Sequence, residues 1–86
     1  MKTLAAGKRP VHRVDPQPGD LAAAIGNAGV DVISTPAIIA YLGTAGYLLI
    51  QSNYEPGEAS VGTRVNVEHV AAALLGSEPV CRVIDL

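Results

Sequence analysis

Phenylalanine and tryptophan are absent from the 86-residue chain, and three tyrosines are its only aromatic residues besides histidine. That scarcity argues against the aromatic platforms on which single-stranded nucleic acid stacks. Cysteine is nearly absent too. Cys81 is the only one, so no intrachain disulfide can form, which suits a reducing, cytoplasmic compartment. No Cys/His cluster has metal-ligand spacing, and neither a Walker nor a dinucleotide-type glycine loop occurs. The opening "MKTLAAGKRP" has too short an apolar run for a secretory signal, and no run reaches the length of a membrane span. Basic charge is sparse beyond Lys2, Lys8, Arg9 and Arg13. From Val14 onward, two basic side chains face eight acidic ones. A basic arm attracts phosphates, but no DNA-binding motif accompanies it. Residues 1–8 read as a solvated tail, and no nucleic-acid partner is expected.

Aliphatic residues are what the chain has. Hydrophobic residues make up 49%, enough to exclude a disordered segment. The length allows one domain, here placed over 9–86. A domain of this size buries only about 60–65% of its unfolded surface, so stability is marginal without a partner. "RPVHRV" at 9–14 reads as a short strand, with Pro10 confining it to an edge or a start. "DPQPGD" at 15–20 is turn chemistry. "LAAAIGNAG" at 21–29 suggests one or two helical turns stopped by Gly26 and Gly29. Ser34-Thr35-Pro36 is a helix start, in which the Thr35 hydroxyl can cap and Pro36 suits the first position. From Pro36 to Ile50 only Thr44 and two tyrosine hydroxyls are polar, the pattern of a helix buried on all sides. Its length of about 22 Å falls short of a bilayer's roughly 30 Å hydrocarbon core. "NYEPGE" at 53–58 is an exit turn, 69–76 a connector closed by Gly76, and "PVCRVIDL" at 79–86 a further strand.

Between turn and connector, "EASVGTRVNVEH" alternates with a strand's period of two. Val61, Thr63, Val65, Val67 and His69 share one side; Gly62, Arg64, Asn66 and Glu68 share the other. Taken singly, Thr35 is a plain helix cap, Gly62 a bulge glycine and His69 a strand-end histidine.

Taken together they say more. "STPAIIAYL" at 34–42 followed by "YEPGEASVGTRVNVEHVAA" at 54–72 resembles the fluoroacetyl-CoA thioesterase-like group of the hot-dog superfamily. The resemblance spans about residues 20–86. It implies an α+β, hot-dog-like fold, a buried apolar helix wrapped by an antiparallel sheet. The sheet is expected to be incomplete, because the chain ends where that group continues with further strands. It also implies cleavage of an acyl-CoA thioester by a threonine at the helix start, a glutamate two turns on and a histidine after the next strand. A glycine early in that strand helps position the acyl group. Thr35 matches the threonine, His69 the histidine and Gly62 the glycine, whereas the glutamate position holds Gly43. The expected catalytic residues are therefore Thr35 and His69, with Gly62 binding substrate. No metal or cofactor is expected beyond the coenzyme A of the substrate, and the partners expected are an acyl-CoA or similar thioester and a second copy of the chain. Two other readings stand beside hydrolysis. One is a non-catalytic acyl-CoA or acyl-carrier binding or dimerising module, and the other a degenerate fragment without ligand. Nothing in the sequence selects fluoroacetyl over other small acyl groups.

Overall fold

Pairing between the two ends of the chain sets the architecture. A computed structural model describes residues 1–2 and 11–82. Strand β1 (Val11–Arg13) runs antiparallel to β2 (Val80–Arg82), with Val11 opposite Arg82, His12 opposite Cys81 and Arg13 opposite Val80. The Val14 amide extends the ladder, donating to the Pro79 carbonyl at 2.8 Å. These strands fall inside the segments expected at 9–14 and 79–86; residues 9–10 and 83–86 of those segments, and most of the tail, lie outside the described residues. At the tail's start, the Lys2 amide donates to the Asn53 carbonyl at 2.7 Å.

The turn-rich 15–29 region forms two single-turn 3-10 helices, Pro18–Asp20 and Ala22–Ile25. The second stops at Gly26, whose φ of 113° is open to glycine at little steric cost. The chain then returns through Val32 and Ile33. Ile33 bridges Leu21, Val32 bridges Leu74, and the Ile33 amide donates to the Ala73 carbonyl at 2.8 Å. Three distant segments thus meet around Ile33, which is 1% exposed and the most deeply buried large side chain among the described residues.

One long helix follows, α1 (Thr35–Ile50). Its cap is Ser34 rather than Thr35. The Ser34 backbone is extended, and its buried hydroxyl accepts the Ala37 amide at 3.1 Å. A cap sits one residue outside the helix with its side chain turned back to the third amide. Thr35 is already the first helical residue, so its hydroxyl is left for other work.

The helix is also not buried all round. Ala37, Ala45 and Leu49 are buried along one face, while Ile39, Leu42 and Tyr47 are exposed. A sheet of two three-residue strands is too narrow to wrap a 16-residue cylinder. Among the described residues the structure is therefore α+β, with one helix backed by a two-stranded antiparallel sheet.

The turn after α1 has proline second and Gly57 third, with φ 83° at the glycine and the Glu58 amide donating to the Glu55 carbonyl at 3.0 Å. Those are the features of a type II turn. Beyond it, residues 59–68 do not form the expected strand. From 59 to 72 no backbone group bonds to the backbone of another described residue. Alternation decides which side chains share a side, but a strand also needs a neighbour to take its N–H and C=O groups. Val61 at 86% exposed and Val65 at 57% show how far this segment stands from the core.

Tyr41 links the helix to the first half of the chain. Its hydroxyl donates to Asp20 at 2.7 Å. Burial, then the Asp20 bond, pushes the phenol up from 10.0 to about 12. The Asp20 carboxyl is held below its ordinary range, first by the Gln17 amide and then by Tyr41. A raised pKa adds stability that is complete below the unfolded value and fades as pH climbs through the folded one. Part of the alkaline loss of stability, between pH 10 and about 12, therefore belongs to Tyr41. In Tyr41→Phe that limb should flatten while stability at neutral pH falls, as read by urea midpoints across the range. An unchanged alkaline limb would show that Tyr41 does not contribute to it.

Candidate active site

The helix start presents a hydroxyl, and the bridge at 73–74 returns an imidazole to it. Thr35 Oγ1 and His69 Nδ1 lie 2.8 Å apart, both side chains exposed. The placement follows from local structure. Ser34 has taken the Ala37 amide as cap, and the Ser34 carbonyl accepts the Ile38 amide at 3.1 Å. Pro36 has no N–H to offer. The Thr35 hydroxyl is thus the free polar group of the first turn. His69 is held close because Ala73 and Leu74 are bonded to Ile33 and Val32, just before the helix. Beside the imidazole is a cavity of about 270 Å³ lined by Val32, Val70, Ala71 and Ala72.

Gly62 lies elsewhere, against the exposed side of α1. It shares a cavity of about 530 Å³ with Ile39, Leu42, Gly43, Val65 and Val67, and a neighbouring one of about 290 Å³ with Gly43, Gly46 and Tyr47. The structure therefore brings Thr35 to His69 and Gly62 to Gly43, as two separate groupings. A Cβ at Gly43 or Gly62 would have no neighbouring atom within 4 Å.

The sequence reading missed one group here. Arg64 lines the larger cavity with Gly43 and Gly62. Alternation offered no signal for it, since Val65 and Val67, of the opposite parity, line the same cavity. No Asp or Glu among the described residues lines any of the three cavities. Nor do three or more His, Cys, Asp or Glu side chains cluster among those residues to hold a metal ion. Cys81 is half-buried, and burial raises its thiol pKa, which disfavours a reactive thiolate. Among the described residues no helix is long and apolar enough to cross a membrane.

What this pair can do is limited and specific. A hydroxyl bonded to an imidazole can donate toward a carbonyl oxygen while the second ring nitrogen accepts a proton. The cavity beside His69 is lined by aliphatic side chains, and the larger one is aliphatic apart from Arg64 and Asn66, which suits a short aliphatic chain. No curated protein and no solved structure matches the chain. The family model described as fluoroacetyl-CoA-specific thioesterase matches residues 17–83, a span holding Thr35, Gly62 and His69. With well over half of its length matched, the chain belongs to the fluoroacetyl-CoA-specific thioesterase family.

Proposed function

We propose that the protein is a thioesterase-like protein of the hot-dog kind that binds small acyl-CoA thioesters at the N-terminus of α1 and hydrolyses them slowly. The observation that carries this is the 2.8 Å contact between Thr35 and His69. In the tautomer protonated at Nδ1, His69 donates to Thr35 Oγ1, and the Thr35 hydroxyl donates to the thioester carbonyl oxygen. Nε2 is then free to take a proton from the attacking water. Attack forms a C–O bond, the C–S bond breaks, and the thiolate leaves to be protonated as free coenzyme A. The acyl chain extends toward Gly62 and Gly43. No cofactor is needed beyond the coenzyme A of the substrate, and the free Cys81 suits a cytoplasmic setting.

The glycine at 43 favours a second reading, a binder without turnover. With no carboxylate among the described residues lining these cavities, none of them strengthens His69 as a base. Thiol release from short acyl-CoA esters, run beside direct binding of coenzyme A, separates the two. Gly43→Glu sharpens the comparison, because the space at Gly43 is open to a side chain. Its turnover should rise at least about tenfold, a barrier change of about 1.4 kcal/mol. An unchanged rate in a folded, binding-competent variant would count against a catalytic role for that position.

The protein is further proposed to act as a homo-oligomer. Support comes from the exposed Leu42, Tyr47 and Val61 and from the backbone of 59–68, which is unpaired among the described residues. Apolar surface and open backbone edges both favour association. Sedimentation velocity should show a dimer or larger at micromolar concentration, and a persistent monomer would sink the idea.

A further inference from the structure

The cavity of about 530 Å³ between α1 and residues 62–67 has walls of mixed kind. Ile39, Leu42, Val65 and Val67 are aliphatic, Asn66 is polar and uncharged, and Gly43 and Gly62 leave it open. Arg64 is the one charged side chain among its described lining residues. Among the described residues Arg64 makes no hydrogen bond or ion pair, whereas Arg13 is engaged by Glu78 at 3.2 Å. From Val14 onward acidic side chains outnumber basic ones eight to two, yet none among the described residues lines this cavity. An unpaired guanidinium beside aliphatic walls matches a ligand with a methylene stem and an anionic end.

We infer that Arg64 selects acyl groups ending in a carboxylate, so that the favoured ligands are coenzyme A monothioesters of short dicarboxylic acids. The inference rests on the proposed thioester binding at Thr35 and His69. The aliphatic walls, Ile39, Leu42, Val65 and Val67, would take the methylenes of a short acyl chain. The carboxylate would accept bidentate bonds from the guanidinium near the opening at Gly43. Adipoyl-CoA and hexanoyl-CoA have six-carbon acyl chains that differ mainly at the terminal carboxylate.

The test measures binding of adipoyl-CoA and hexanoyl-CoA to the full chain and to Arg64→Gln by titration calorimetry. The quantity read is the adipoyl-to-hexanoyl affinity ratio in the wild type divided by the same ratio in the variant. It should be about tenfold, a charge-assisted hydrogen bond's worth. A value within about twofold of one, with both thioesters bound by the wild type, overturns the inference and leaves the thioester reading intact. The same value with both ligands weakened equally assigns Arg64 to the coenzyme A phosphates, which also overturns it. If the wild type binds neither ligand, the thioester reading fails and the inference fails with it. Circular dichroism of the variant, matching the wild type, excludes misfolding as the cause of a lost preference.

Discussion

Ile33→Ala is expected to leave much of the protein unfolded at ambient temperature. Ile33 is 1% exposed, and the rest of the buried aliphatic core among the described residues is small: Val14, Ala22, Ala37, Ala45 and Leu49. Three of these five are alanines, which fill little volume. Truncating a buried isoleucine to alanine costs about 2–5 kcal/mol, the higher values where the site cannot collapse. A small domain has only about 5–15 kcal/mol to lose, and this one sits toward the low end by its size. The damage should also reach the site. The Ile33 amide holds Ala73, and through it His69, near Thr35. Urea denaturation followed by far-ultraviolet circular dichroism should show the midpoint falling by most of its wild-type value. Ile33→Val, which removes one methylene, should cost only about 0.5–1.5 kcal/mol. A loss below about 1 kcal/mol for Ile33→Ala would mean that the three segments meeting there are not what holds the fold.

His69→Ala should have the largest effect on chemistry. In the proposed mechanism the imidazole both aligns the Thr35 hydroxyl and takes the water's proton. General-base assistance is worth about 10²–10⁴-fold. Thiol release from short acyl-CoA esters should therefore fall by at least about 10²-fold, with affinity changing much less. Thr35→Ala should lose the carbonyl donor and fall by about 10²-fold, while Thr35→Ser, which keeps the hydroxyl, should retain most of the rate. His69 stands on an exposed stretch with no backbone partner among the described residues, so its removal should leave the denaturation midpoint near that of the wild type. A folded His69→Ala protein with an unchanged rate would remove the imidazole from the mechanism.

Local chemistry was legible in the residues themselves. "EPGE" announced its turn, because proline and glycine at the two central positions suit one backbone geometry, and the Glu58-to-Glu55 bond closes it. Gly26 ended its 3-10 turn for the same kind of reason. The helix from Thr35 to Ile50 followed from an apolar run opened by Ser-Thr-Pro. Its cap was read one residue late, since serine and threonine are both competent caps and only the backbone decides which stands outside the helix.

The sequence by itself determined which elements could exist and which residue types a candidate site could draw on: an apolar helix, a hydroxyl at its start, a histidine after an alternating segment, and a glycine where the family resemblance implies a carboxylate. Tertiary structure alone decided the rest. It placed Thr35 within 2.8 Å of His69 across 34 positions of chain, through bridges at Ile33 and Leu74 that no local pattern encodes. It left residues 59–68 unpaired among the described residues, because alternation specifies a face and not a neighbour. It also set Arg64 among the residues lining a cavity that Gly43 and Gly62 leave open. The physical reason is the same in each case. Capping and turn formation are settled within a few residues, whereas burial, pairing and the lining of a cavity depend on which distant segments come to share the same space.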